Sequence, residues 1–107
     1  MHILICEREH FIRRALSEHL VAQGYQVSEA GTEAECLELV TRIVPDFMLL
    51  DDPKLAKKLK RQKIAAPIIM MTSAQIPGYE HIPKPYELAD VSALLQTKLG
   101  HFGQKQA

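Results

Sequence analysis

The sequence predicts an α/β domain with one parallel sheet and helices on both faces. Three observations carry this. Short apolar runs alternate with longer amphipathic stretches. The runs Ile3-Leu4-Ile5-Cys6, Phe47-Met48-Leu49-Leu50 and Ile68-Ile69-Met70-Met71 are apolar without alternation, as strands are when both faces are covered. In the first half, the intervening stretches are long enough for crossover helices.

The elements follow in order. The first strand covers residues 2–6. The first helix covers 10–23, with Ile12, Ala15, Leu16 and Leu20 on one face and Gly24 as its stop. The second strand covers 25–28. Thr32 and Glu35 form a capping box for a second helix that runs to residue 44, with Cys36, Val40 and Ile43 facing in. The third strand covers 46–50 and the fourth 67–71. Residues 53–63 make one short helix with Leu55 and Leu59 inward, so the third helix is shortened. After Thr72 only eleven residues precede Lys84, and they include Pro77, Gly78 and Pro83. That is too short for a helical crossover and a strand, so the fourth helix of a regular alternation is missing or reduced to a turn. A final helix covers 86–99, with Leu88, Val91, Leu95 and Leu99 on one face. The domain spans 2–99, and 100–107 reads as a flexible polar tail.

At 107 residues this is one domain. Apolar residues make up 47% and aromatics 6%, with no Trp, so the core is aliphatic rather than absent, and disorder is excluded. The net charge of zero hides an asymmetry: residues 1–52 carry ten of the thirteen acids, and residues 53–107 carry nine of the thirteen Lys and Arg. The balance gives no reason to expect nucleic acid or membrane as the main partner. Cys6 sits in a buried-strand pattern and Cys36 on an apolar helix face, which fits a reducing cytosol better than a disulfide framework. No apolar stretch reaches spanning length and no charged-then-apolar leader opens the chain, so the expectation is a cytoplasmic protein.

The chemistry gathers at the ends of the apolar runs. Asp51 closes the third and Thr72 follows the fourth. Lys84 lies between Pro83 and Pro85, and Glu7-Arg8-Glu9 follows the first. If these runs are neighbouring parallel strands, their C-terminal ends bring a carboxylate, a hydroxyl and an ammonium into one crevice.

The segments "ILICERE", "GYQVSEAGTEAE", "PDFMLLD", "PIIMMTSA" and "PKPYEL" occur in that order. Together they resemble the receiver domain of two-component response regulators. The resemblance implies the flavodoxin-like (CheY-like) five-stranded parallel sheet. It makes Asp51 the candidate phosphoacceptor and Thr72 the switch hydroxyl. It makes Lys84 the phosphate-binding lysine, with Lys84-Pro85 cis, and puts His81 at a switch position that is often aromatic in the family. Glu7, Glu9 and Asp52 are the candidate acidic cluster. In such a site a carboxylate attacks a phosphoryl group, and Mg²⁺ held by neighbouring carboxylates neutralises its oxygens. A lysine and a hydroxyl then bind those oxygens, and the hydroxyl's movement reports phosphorylation.

The chain departs from this pattern at Arg8, which takes the family's second acidic position. A guanidinium cannot ligate a cation and stays charged at any useful pH. At about 4 Å and an effective dielectric near 20, its attraction to Asp51 is about 4 kcal/mol before desolvation. The expectation is that Arg8 replaces the metal as counter-charge, with no cofactor. If the acidic site works, Mg²⁺ on Glu7 and Asp51 is the alternative. The missing helix predicts an uncovered apolar side, hence a homodimer through strand five and the last helix, or a protein partner (a histidine kinase or a downstream client). The leading reading is an atypical receiver signalling through protein contact. It is not an enzyme, beyond self-phosphorylation and dephosphorylation at Asp51. One alternative is a working receiver phosphorylated on Asp51. Another is a small nucleic-acid or acidic-ligand binder using the run from Lys54 to Lys63, which otherwise reads as a solvated helix face. The remaining histidines His2, His10, His19 and His101 lack metal-ligand spacing.

Overall fold

Strands β1 (His2–Cys6), β2 (Gln26–Ala30), β3 (Phe47–Leu50), β4 (Ile68–Met70) and β5 (Glu80–His81) lie side by side in the order β2-β1-β3-β4-β5. Every pairing is parallel. This computed structural model describes residues 1–73 and 76–106, with side chains described through Lys98 save those of 74 and 75. The register sets Cys6 beside both Ala30 and Leu50, and Leu50 beside Met70, so the C-terminal ends of the central strands share one edge.

The period-two geometry of strands sends successive side chains to opposite faces. On one face Ile3, Ile5, Phe47, Leu49 and Ile69 meet Leu16 and Leu20 of α1 (His10–Ala22) and Val91 and Leu95 of α4 (Leu88–Gln106). On the other, Leu4, Cys6, Met48, Leu50 and Met70 meet Cys36 of α2 (Glu33–Leu39) and Leu55, Ala56 and Leu59 of α3 (Pro53–Arg61). The unalternating apolar strands are thus explained by two helical layers, as expected.

Several boundaries differ from the sequence reading. The β2 strand is shifted toward Ala30, because its pairing with all five residues of β1 carries it there. Helix α2 stops at Leu39, five residues short. The stretch beyond it, Val40-Thr41-Arg42-Ile43-Val44 before Pro45, is β-branched at four of five positions; β-branched residues and the position before proline disfavour helix. Helix α3 ends at Arg61, and Lys63 turns back with φ 59°. Helix α4 starts at Leu88 rather than Tyr86, and its backbone continues to Gln106, past residue 99 and through the stretch read as a tail.

Among the described residues no helix separates β4 from β5, as expected. On one face of this edge, Ile76 and Tyr79 of the short crossover pack half-buried against the second core cluster. The large exposed apolar side chains among the described residues are Met1, Phe11, Val21 and Val44, none of them on β4 or β5.

Candidate functional site

The strand ends deliver the predicted residues to one edge. The Asp51 amide donates to the Cys6 carbonyl (3.2 Å), and the Met71 amide donates to the Leu50 carbonyl (2.7 Å). The Ile82 amide donates to the Met70 carbonyl (2.8 Å). These bonds place Glu7 and Asp51 on adjoining strand ends, with Thr72 one residue beyond Met71. A cavity of about 240 Å³ opens at this edge, with Cys6, Glu7, Arg8, Thr32, Asp51 and Asp52 among its walls.

Among the described residues Glu7 is the most enclosed charged one, 3% exposed. Its Oε1 lies 2.5 Å from Lys84 Nζ, and its Oε2 accepts the Glu9 amide at 3.1 Å. Burial pushes the Glu7 carboxyl above its ordinary range, and a hydrogen bond with Asp51 adds to this. Lys84 and the Glu9 amide pull it back only in part. The Lys84-Pro85 peptide is cis, and the Ser73 hydroxyl donates to the Lys84 carbonyl at 3.4 Å.

Arg8 does lie over Asp51. Its amide donates to Asp51 Oδ2 at 3.3 Å, and its Nε is 3.5 Å from the same oxygen. The side-chain exposures decide what that is worth: 75% for Arg8 against 9% for Asp51. Solvent screens a guanidinium so exposed, so the pair is worth about 1 kcal/mol or less rather than the larger unscreened attraction. The better-buried ion pair is Lys84–Glu7.

The other predicted residues have local tasks. Glu9 is exposed and stands as the N-cap residue of α1 without a side-chain cap bond. Asp52 caps α3, its Oδ1 accepting the Lys54 amide at 2.9 Å. His81 accepts the Ile76 amide through Nε2 at 2.8 Å, which ties β5 to the crossover. The basic run lies exposed on α3, with Lys58 on Glu33 (2.7 Å) and Lys60 5.8 Å from the Tyr79 ring centre.

Mg²⁺ requires a near-octahedral set of oxygens. Here both Glu7 oxygens are engaged, Asp51 Oδ2 takes Arg8, and Asp52 Oδ1 takes a backbone amide. Among the described residues no three His, Cys, Asp or Glu side chains converge as a cation's ligands. So arranged, these residues do not fit the ion.

Two residues of the site escaped the sequence reading. Arg13 donates from Nη1 to the Glu7 carbonyl (2.8 Å) and lies 3.4 Å from Glu29 through Nε. Gly31 was the available signal, because a Cβ there would meet Arg13 Nη1 at 2.7 Å. Tyr86 buries its hydroxyl without a hydrogen-bond partner. Burial, then the charges of Glu7 and Asp51, push it up to about 12. Its position directly after Lys84-Pro85 was the available hint.

No family model matches the chain. Sporulation initiation phosphotransferase F of Bacillus subtilis (strain 168) is 29% identical over 106 residues, covering 83% of this chain and 86% of that protein. Response regulator MprA of Mycobacterium leprae (strain TN) is 28% identical over 116 residues, covering 92% of this chain and 51% of that protein. The chain spans about half the length, or less, of several other relatives that it matches. The crystal structure of the receiver domain from the hybrid histidine kinase CckA superposes with a TM-score of 0.78 at 25% identity, over 92% of this chain and 99% of that one. Likeness along nearly the whole chain, in sequence and in backbone, thus joins the strand order already described, and the chain is similar throughout to receiver domains of the response-regulator kind and shares their fold.

Proposed function

We propose that this receiver signals mainly through contact with another protein, and that Mg²⁺-dependent phosphorylation of Asp51 is impaired. One observation carries the reading: side-chain cations already sit on the carboxylates, Lys84 on Glu7 and Arg8 on Asp51. For Asp51 to attack a phosphoryl group, the new phosphate needs a cation on its oxygens and a free lysine. Here the lysine is held 2.5 Å from a buried carboxylate, and the metal's neighbourhood contains a guanidinium. Such a domain keeps the receiver surface while its chemistry fades. The partner class is a protein, either a histidine kinase or a downstream client. No described helix is long and apolar enough to cross a membrane, and the cytoplasm is the compartment that goes with this reading.

The test is titration with Mg²⁺ and beryllofluoride, which mimics a phosphoryl group on a carboxylate, followed at the Asp51 amide by NMR. The wild-type chain is expected to form no adduct at Mg²⁺ concentrations that saturate Arg8→Asp, and Arg8→Asp is expected to gain one. An adduct on wild-type Asp51 at those same concentrations overturns the reading in favour of a working phosphoacceptor.

A further inference from the structure

The cations of this chain are unevenly satisfied. Among the described residues Arg8, Arg13, Arg14, Arg42, Lys84 and Lys98 each lie within ion-pair distance of a carboxylate. The run from Lys54 to Lys63 holds six cations, and among the described residues only Lys58 has such a partner, Glu33 at 2.7 Å. Lys57, Lys60 and Arg61 are exposed on α3 at spacings that put them on one face, where like charges repel and cost the helix stability. They line one concavity, and Lys60 also lines the next, a cleft of about 300 Å³ with Ile64, Ala66 and Tyr79 in its walls. Those three are only part-buried against the second core cluster, and the Lys60 ammonium lies 5.8 Å from the Tyr79 ring centre. The topology says what the cleft leaves room for. Crossovers between parallel strands are right-handed. Those from β1 to β3 and from β3 to β4 set α2 and α3 on the second core face, so a helix between β4 and β5 would lie on that face too, beside α3. Among the described residues none does, and only the short crossover that carries Tyr79 is there.

We infer that this cleft docks an acidic amphipathic helix of a partner protein, with its apolar stripe on Ile64, Ala66 and Tyr79 and its carboxylates on Lys57, Lys60 and Arg61. The inference deepens the proposed reading of the chain as a protein-contact domain and rests on it. Charge complementarity selects the acids: the three cations gain the carboxylates that the described chain does not supply, and their mutual repulsion is relieved. The apolar walls select a peptide over a nucleic acid. A phosphate backbone would satisfy the cations and leave Ile64 and Ala66 with nothing to bury them, whereas one apolar helix face covers both. A helix suits the place better than an extended segment, because β5 offers only two residues of edge to pair with.

The test uses the full chain, without Mg²⁺ or beryllofluoride, and a synthetic helix-forming peptide with leucines at i, i+3, i+4 and i+7 and glutamates flanking them. Fluorescence anisotropy should show saturable binding, and NMR should place the shifted amides at Lys57, Lys60, Ile64 and Tyr79. The same peptide with glutamines in place of its glutamates should bind about tenfold more weakly, and so should the original peptide to Lys57→Gln/Arg61→Gln. That variant loses exposed charges only, so its unfolding midpoint should not fall; the glutamine peptide decides the matter if it does. Arg42→Gln/Lys54→Gln removes as much charge outside the cleft and should bind like the wild type. Absence of binding, a loss shared equally by the two double variants, or shifts confined to α1 and α4 overturn the inference. So does tighter binding of a DNA oligonucleotide that depends on Lys57 and Arg61, which would make this face a nucleic-acid surface. The proposed reading is tested apart from this, by the adduct on Asp51: an adduct overturns that reading whether or not the peptide binds, and failure of the peptide alone overturns only the cleft.

Discussion

Glu7 carries the site's cost at the scale of single residues. Its carboxyl titrates above its ordinary value of 4.5 in the folded chain, chiefly because it is buried. The folded state therefore holds a proton that the unfolded chain has already released. The stabilisation this gives is fully present below 4.5 and is lost as pH rises through the raised folded value. Urea unfolding measured from pH 4 to 8 should show that falling component in the wild type. Glu7→Gln should flatten it; an unchanged slope would assign the pH dependence elsewhere. Tyr86 offers a second check. Its buried hydroxyl has no partner, so Tyr86→Phe should raise stability by about 1 kcal/mol in the same assay, and a loss would mean the hydroxyl is bonded. These two residues also mark how far a sequence can be read. Asp51 and Arg8 were legible because they stand at the ends of apolar runs, Asp51 directly after Leu50 and Arg8 two residues after Cys6, and their meeting needed only parallel strands. Lys84's choice of Glu7 was not legible, because it depends on which carboxylate the fold buries. Tyr86's orphaned oxygen follows from packing, which no motif announces.

The elements were legible where local chemistry and packing agree. The N-cap half of the box at Thr32 was read and is present: its hydroxyl oxygen accepts the Glu35 amide at 3.1 Å, and the Glu35 carboxylate accepts the Thr32 hydroxyl at 3.2 Å. Helix α2 is only seven residues long, so a lost cap falls heavily on it. Thr32→Ala should cost about 1 kcal/mol and lower hydrogen-exchange protection in α2 before other elements. Equal loosening of α1 would show that the cap matters to the whole fold rather than to its helix. The end of α2 was misread because Val40 and Ile43 keep the apolar spacing of a helix and pack inward without being helical. Periodicity reports which side chains are buried, not the backbone that delivers them. The β4–β5 crossover shows the same limit. Its brevity excluded a helix, yet nothing in its length told that Ile76 and Tyr79 would turn in against the second core cluster. His81 holds that arrangement through one acceptor nitrogen, so His81→Ala should loosen the crossover by about 1 kcal/mol.

For the whole molecule, the open question is what meets the β5 side. The sheet ends there in a strand of two residues, too short to template an added strand. A homodimer there would depend on side chains instead. A groove of about 450 Å³ runs between this edge and α4, with Phe47, Pro67, Ile68 and Ile69 inside and Glu80 and Lys98 at its rim. The rim pair spans 2.6 Å, so each subunit would present both charges to its mate, an arrangement that suits a two-fold axis. A dimer of this kind predicts sedimentation that becomes faster with concentration. Thr97→Arg puts a bulky cation at the exposed rim without touching the core, and it should return the chain to monomer at every concentration tested. Thermal unfolding of that variant at low concentration should match the wild type, because only the association has been removed. A wild-type chain that stays monomeric throughout, with Thr97→Arg indistinguishable from it, would leave this face to a client protein.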